Sequence, residues 1–136
     1  MAAVTLSTRG AAPPDIAWER YADPAAWAGW APQIQRVETD AARIAAGVHG
    51  TVHAGLLRRP TLPVRFRVDA VDEDARTWAW QVRLGAGPAR VTLRLEHGVT
   101  EEAGGSGTWL RVRGPLPVVA AYAPLARLAL GRLVAP

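Results

Sequence analysis

Apolar and polar residues alternate through most of the chain between Val48 and Val112. The residues predicted to share the inner face are Val48, Gly50, Val52, Ala54 and Leu56; Val64, Phe66, Val68 and Ala70; Trp78, Trp80, Val82 and Leu84; Val91, Leu93 and Leu95; and Thr108, Leu110 and Val112. A side-chain period of two is typical of β-strands that bury one face. Turn-forming residues separate the runs at Arg59-Pro60, 72–74, 85–88 and 104–107. Such short runs with hairpin-sized gaps predict an antiparallel meander.

Shorter elements flank this meander. Val4, Leu6 and Thr8 alternate with polar residues and predict a first strand. Pro13-Pro14-Asp15 is typical of a helix start, and Asp23-Pro24 predicts its end and the start of a second short helix. A short strand over 34–38 follows, and after Gly114-Pro115 the sequence predicts a C-terminal helix. We therefore expect one α+β domain over residues 1–136: a curved antiparallel sheet of about six to seven strands wrapped around the C-terminal helix, with two short helices after strand 1.

Composition excludes several kinds of chemistry. All sixteen basic residues are Arg, so a Schiff-base lysine and a phosphate-loop lysine are absent. The chain has no Cys, which excludes disulfides, thiol nucleophiles and cysteine-based metal sites. His49 and His53 lie four residues apart, which in a strand is about 13 Å and too far for one ion. We therefore expect no metal and no cofactor.

Targeting and membrane signals are also not expected. The segment 1–14 has no basic start followed by an apolar run, so we expect a cytoplasmic protein rather than a secreted one. The most apolar stretch, residues 116–134, contains Pro124, Arg127 and Arg132. Two Arg within such a length are costly in a bilayer, so the stretch predicts a buried or partner-covered helix rather than a membrane span.

Several motifs resemble one known family. They are the residues from Ala17 to Pro24, Trp30-Ala31-Pro32, Val37-Glu38, Phe66-Arg67-Val68-Asp69, Trp78, Leu95-Glu96 and Gly107-Thr108-Trp109-Leu110. Over nearly the whole chain these resemble the SRPBCC superfamily, the helix-grip group of polyketide cyclases/dehydrases, START-type lipid carriers and birch-pollen-allergen-like proteins. The resemblance implies a deep apolar cavity between the sheet and the C-terminal helix.

The alternation also predicts what faces outward. If the apolar sets face the cavity, then Arg65, Arg67, Arg83, Arg94, Arg111 and Arg113 lie on the opposite face, with His49, Thr51 and His53. A β-bulge would invert this parity in any one strand. Acidic residues interrupt the Arg, and Trp109 is the one aromatic expected beside them, so we do not expect nucleic-acid binding.

The residues expected to line the cavity and bind ligand are Trp30, Phe66, Trp78, Trp80, Leu93 and Leu110. Trp78 and Trp80 either fill the core or form flat walls for a polycyclic or polyene ligand. Tyr122, on a helical stripe with Val118 and Leu125, is a candidate catalytic donor, or else a packed residue. His97 is the other candidate catalytic residue, at the cavity mouth; the alternative, which the neighbouring Gly98 favours, is a turn residue.

Together these features favour an enzyme of the polyketide cyclase/dehydrase type. It would cyclise or dehydrate a polyketide- or terpenoid-like intermediate by holding it in a reactive fold. A non-catalytic carrier or sensor of a lipid-like ligand is the alternative, and an interaction module that binds a partner through its apolar helix is a third. We also expect a homodimer through the C-terminal helix. Leu125 and Leu128 are predicted to pack on the sheet, so that Leu130, Leu133 and Val134 lie partly off that surface and form an apolar patch.

Overall fold

The computed structural model describes residues 1–55 and 61–136, and Leu56 and the predicted Arg59-Pro60 turn lie outside them. The strands are β1 (Ala2–Gly10), β2 (Ile34–Glu38), β3 (His49–Ala54), β4 (Leu62–Asp72), β5 (Thr77–Leu84), β6 (Val91–Glu102) and β7 (Gly105–Gly114). The helices are α1 (Pro14–Ala22), α2 (Trp27–Trp30) and α3 (Leu116–Leu133), with 3-10 turns at Pro24–Ala26 and Gly87–Ala89. The strands form one antiparallel sheet in the order β1-β7-β6-β5-β4-β3-β2. The predicted helix-grip α+β architecture is confirmed.

Within the described residues, two strands contain the kind of register shift that was considered possible: β2, between Ile34 and Arg36, and β4. The register between β4 and β5 shifts between Val68 and Ala70, so that Val71 pairs with Trp78. Ala70, predicted to face inward, is therefore exposed, and Val71 packs against the core instead. The bulge lies beyond Arg65 and Arg67, so both of these side chains stay on the exposed face.

The hairpin between β6 and β7 is tighter than predicted. The turn is at Ala103-Gly104, where Gly104 has a φ of 78°, and residues 105–107 already belong to β7. Glycine adopts this left-handed conformation without the steric cost that a Cβ would bring. Because β6 consequently continues to Glu102, His97 lies in the middle of a strand, and the turn interpretation of this residue is wrong.

The outer face of the sheet carries the arginines as predicted. Arg65, Arg67, Arg83, Arg94 and Arg111 are exposed, and Arg113 is half-buried with its guanidinium 3.5 Å from the Glu96 carboxylate. Trp109 lies on this face opposite Gly98, where a Cβ would come within 2.2 Å of the indole nitrogen. Gly98 is therefore the residue that lets this ring lie flat on the sheet.

The C-terminal end of α3 is held against the start of the chain. The Ala12 N–H donates to the Val134 carbonyl at 2.9 Å, and a Cβ on Gly10 would come within 2.1 Å of that same oxygen. Arg20 donates to the carbonyls of Leu133 and Ala135, both at 2.6 Å. A cation at a helix C-terminus stabilises carbonyls that have no partner within the helix.

This docking corrects the predicted rotation of the helix. Leu130, Leu133 and Val134 are at most 2% exposed, whereas Leu128, expected on the sheet side, is 50% exposed. The buried stripe of Val119, Ala126, Leu130 and Leu133 follows helical spacing, and it places Leu128 on the far side. These three residues are therefore buried within the domain and cannot form the expected dimer interface. A homodimer stays a prediction, without these residues in its interface. The helix runs through Pro124 without a break.

By length and composition alone, α3 is apolar enough to cross a membrane, with a mean hydropathy of 1.2 over 18 residues. It packs instead on the sheet, where its buried stripe completes the hydrophobic core. It is the core helix of this domain.

Candidate active site

A cavity of about 470 Å³ lies between the inner face of the sheet and α3. Cavities of this size hold drug-sized molecules. Its described walls are almost entirely apolar: Trp27, Trp30, Ala31, Gln33, Ile34, Val52, Ala54, Gly55, Leu62, Val64, Trp78, Trp80, Val82, Leu84, Leu93, Leu95, His97, Leu110, Val118, Ala121, Tyr122, Leu125, Ala126, Ala129 and Leu130. Every strand from β3 to β7 contributes at least one of them.

The structure brings most of the predicted site residues to this cavity. Its lining includes Trp30, Trp78, Trp80, Leu93, Leu110, His97 and Tyr122. Phe66 is not among the lining residues: it is 4% exposed and lies behind the wall, with its ring centroid 5.3 Å from that of Trp27 and 5.8 Å from that of Trp80. The predicted stripe of Val118, Tyr122 and Leu125 does face the cavity from α3.

Stacked aromatic rings form one wall. Trp78 and Trp80 project from the same face of β5 with ring centroids 5.1 Å apart and planes 24° apart. His97 stacks on Trp78 at 4.9 Å and 15°, and Trp27 contacts both indoles at 5.7 and 5.1 Å. Such packing fixes each ring by several neighbours, so the wall is rigid and flat.

A chain of hydrogen bonds runs from this wall into the core. The Trp80 indole N–H donates to His97 Nε2 at 2.9 Å, and His97 Nδ1 lies 3.2 Å from the Tyr21 hydroxyl. The Tyr21 hydroxyl lies 2.7 Å from Thr108 Oγ1, which donates to the Gly98 carbonyl at 2.9 Å. All four side chains are at most 8% exposed, so the chain is sealed from water.

The groups at the two ends of this hydrogen-bond chain determine which atom donates in each of its bonds. An indole N–H only donates, so His97 Nε2 must accept and the proton must reside on Nδ1. A carbonyl oxygen only accepts, so Thr108 gives its proton to Gly98 and must accept from Tyr21. His97 Nδ1–H therefore donates to the Tyr21 hydroxyl. Each N–H or O–H hydrogen of the four side chains then takes part in one hydrogen bond. Burial lowers the pKa of His97 to about 3 and raises the pKa of Tyr21, so both groups stay neutral.

Polar contacts on the surface hold Tyr21 in this chain by anchoring α1. The indole N–H of Trp18, in the same helix, donates to the Glu73 carboxylate at 2.6 Å. Arg43 makes two bonds to that carboxylate, at 2.7 and 2.8 Å, and a third to Glu19 at 2.8 Å. Arg43 also lowers the pKa of Glu73, so the anchor stays charged. Trp18 is itself 4% exposed and belongs to the hydrophobic core.

Three polar groups of the lining residues have no hydrogen-bond partner in the part of the chain described. They are the Tyr122 hydroxyl, the Trp78 indole N–H and Gln33 Oε1. The other three tryptophans of the wall are paired: Trp27 donates to the Tyr21 carbonyl at 2.8 Å, Trp30 to the Arg20 carbonyl at 2.9 Å, and Trp80 to His97. Burial raises the pKa of Tyr122 to about 12, so its hydroxyl remains a neutral donor. These unpaired groups are available to a molecule in the cavity.

Sequence reasoning did not single out Trp27, Gln33 or Tyr21. Trp27 precedes Trp30 by three residues, a helical spacing that brings both indoles to one side of α2, and this was a usable signal. The role of Tyr21 depends on the contact between α1 and the middle of β6 and β7, which no local pattern announces. Among residues 1–55 and 61–136, no three acidic, His or Cys side chains group as metal ligands.

Comparison with known proteins agrees with this geometry. Residues 1–135 match the model of the family described as polyketide cyclase/dehydrase and lipid transport. The fold resembles that of Ara h 8.0201, with a TM-score of 0.76 at 17% identity over 97% of this chain and 94% of that one. It also resembles a hypothetical protein of Helicobacter pylori (TM-score 0.76, 11% identity, 97% and 84% covered).

A third similar structure is an uncharacterized protein from Rhizobium leguminosarum, with a TM-score of 0.74 at 13% identity over 97% of this chain and 91% of that one. No curated protein matches the sequence significantly. At these identities the structures establish the fold, which is the birch-pollen-allergen-like helix grip. Because the family model covers all but the last residue, the chain belongs to the polyketide cyclase/dehydrase and lipid transport family.

Proposed function

We propose that this protein binds a hydrophobic small molecule between the sheet and α3 and promotes its cyclisation or dehydration. The observation that carries the proposal is the apolar cavity of about 470 Å³, with the Tyr122 hydroxyl in its wall and no partner for that hydroxyl among residues 1–55 and 61–136. The substrate would be a polyketide- or terpenoid-like biosynthetic intermediate, in keeping with the family to which the chain belongs.

The rigid aromatic wall supports a role in positioning. A flexible chain folded against Trp78 and Trp80 would lose its conformational freedom on binding, before the chemical step. The Tyr122 hydroxyl would donate a hydrogen bond to a carbonyl oxygen as negative charge develops on it during ring closure. In this proposal His97 does not act as an acid or base, because both of its ring nitrogens already form hydrogen bonds.

A carrier or sensor of a lipid-like molecule is the second candidate, and one observation favours it. The titratable lining residues described are His97, with a pKa of about 3, and Tyr122, with a pKa of about 12. General acid–base catalysis works best with a pKa near the working pH, and neither group provides one. Catalysis would therefore depend on positioning and one neutral donor.

Native mass spectrometry of freshly purified protein tests binding first, through the added mass of a co-purified compound. The compound is then extracted, identified and incubated at equal concentration with wild type and with Tyr122→Phe. Conversion by wild type, slowed about 10²–10³-fold in the variant, supports catalysis with Tyr122 as the donor. Recovery of the unchanged compound from both proteins would support the carrier, and rates within twofold of each other would demote Tyr122 to packing.

A further inference from the structure

The wall of the cavity carries no charge in the described part of the chain. None of its lining residues is Asp, Glu or Arg, although the chain has sixteen Arg and twelve acidic residues. Its two titratable members, His97 and Tyr122, are both neutral between about pH 5 and 9, because burial disfavours their charged forms. A ligand in this space would therefore meet no counter-ion from these residues.

The strand pattern explains how so many charges are kept away. In β4, Val64 and Phe66 point inward while Arg65 and Arg67 alternate with them on the exposed face. The same alternation in β5 and β6 exposes Arg83 and Arg94. The bulge in β4 could have reversed this order, but it falls after Val68, and the rest of the strand, residues 69–72, contains no Arg.

An ionised ligand would be poorly stabilised in such a space. Transfer of an isolated carboxylate from water into an apolar environment is strongly unfavourable unless a counter-charge or several hydrogen bonds replace the water. The unpaired groups of the wall are all neutral: the hydroxyl of Tyr122, the N–H of Trp78 and the amide oxygen of Gln33. The tyrosine hydroxyl can donate and accept, the indole N–H only donates and the amide oxygen only accepts, which matches the needs of a hydroxyl, carbonyl or ester group.

We propose that the cavity selects uncharged ligands, namely apolar alcohols, ketones and esters, over carboxylates and phosphates of the same chain length. This inference rests on the proposed binding function and narrows its ligand class. It separates this site from one that holds free fatty acids or other anionic lipids, for which a buried Arg or Lys would be the expected partner.

The test uses wild-type protein and displacement of the neutral dye Nile red by 1-decanol and by decanoate. At pH 8 we expect decanol to displace the dye at a concentration at least tenfold lower than decanoate does. As the pH falls to 5, near the range where carboxyl groups protonate, decanoate should improve at least tenfold. Decanol should change less than twofold, because His97 and Tyr122 stay neutral throughout.

The outcomes separate this inference from the proposed function. If Nile red and decanol both fail to bind, the proposed function is refuted and the inference with it. If decanol binds but decanoate at pH 8 is less than tenfold weaker, the binding function stands and selection for uncharged ligands is overturned.

A pair of variants tests the role of the wall itself. Val118 lines the cavity from α3, whereas Ala120 lies on the exposed outer side of the same helix. We expect Val118→Arg to raise the affinity for decanoate at pH 8 at least tenfold, and Ala120→Arg to leave it within twofold. An equal gain in both variants would mean that surface charge sets the preference, and would overturn the inference.

Discussion

Trp80 and His97 are joined across β5 and β6 by a hydrogen bond of 2.9 Å from the indole N–H to Nε2. This bond fixes the histidine as a neutral ring with its proton on Nδ1, and the bond from that proton to Tyr21 ties helix α1 to the cavity wall. Buried polar groups that are fully paired in this way specify a single arrangement of the surrounding core. The aromatic wall is therefore held by a defined polar chain as well as by packing.

The two tyrosines of the chain provide a matched test of this assignment. Tyr21→Phe removes a hydroxyl that accepts from His97 and donates to Thr108, and it leaves the buried His97 N–H unpaired. We expect the free energy of unfolding to fall by about 1–3 kcal/mol. Tyr122→Phe removes a hydroxyl without a partner among the described residues, and the change should be below about 0.5 kcal/mol. Urea denaturation measures both, and equal losses would contradict the network.

The buried histidine also predicts how stability depends on pH. The pKa of His97 is about 3 in the folded protein and about 6.5 when unfolded, so between these values the unfolded chain binds more protons. The free energy of unfolding should therefore fall as the pH drops below about 6.5, with a limiting slope of about 1.4 kcal/mol per pH unit. His97→Gln should lack this component in urea titrations between pH 7 and 4.5. Parallel pH profiles for the two proteins would show that His97 titrates normally.

A pair of glycines tests the docking of the C-terminal helix. Gly10→Ala would bring a Cβ within 2.1 Å of the Val134 carbonyl oxygen, so the helix end must shift, at a cost of about 1–3 kcal/mol. Gly131→Ala, within α3, meets no atom within 4 Å and should stabilise the helix by about 0.5–1 kcal/mol. Thermal unfolding followed by circular dichroism compares them. A neutral Gly10→Ala would mean that the helix end is not held as described.

Two leucines of α3 test its rotation. Leu130 is 2% exposed and Leu128 is 50% exposed, although only two residues separate them. Leu130→Glu places a carboxylate in the core and should destabilise the fold by at least about 3 kcal/mol. Leu128→Glu should change stability by no more than about 0.5 kcal/mol. Denaturant unfolding compares the two variants. If Leu128→Glu were the more destabilising, the helix would have the rotation expected from the sequence instead.

The sheet and the side of the cavity wall that it forms could be predicted from alternation alone, because the side-chain period of a strand assigns each residue to a face. Trp78, Trp80, Leu93 and Leu110 were placed correctly by this rule. It failed at Ala70, because a bulge has no signature in the local pattern. Alternation also does not show whether an inward-facing side chain reaches the cavity: Phe66 faces inward but lies behind Trp27 and Trp80.

The rotation of α3 and the polar chain could not be predicted, because they depend on contacts between distant segments. An apolar helix with two Arg offers several possible buried stripes, and the bonds from Ala12 and Arg20 to the helix end select one of them. His97 has partners from β5 and α1, and its role changes with them from a turn residue to a buried link. Local sequence contains neither relationship.

The central claim is that the space between the sheet and α3 binds an apolar molecule, and a Nile red titration with two neighbouring variants tests it most directly. Ala121 lines the cavity, and the adjacent Ala120 faces outward. Wild type and Ala120→Trp should bind the dye saturably at one site, and Ala121→Trp, which fills part of the cavity, should bind at least tenfold more weakly. Absence of binding to wild type, or equal affinity in all three proteins, would contradict the account.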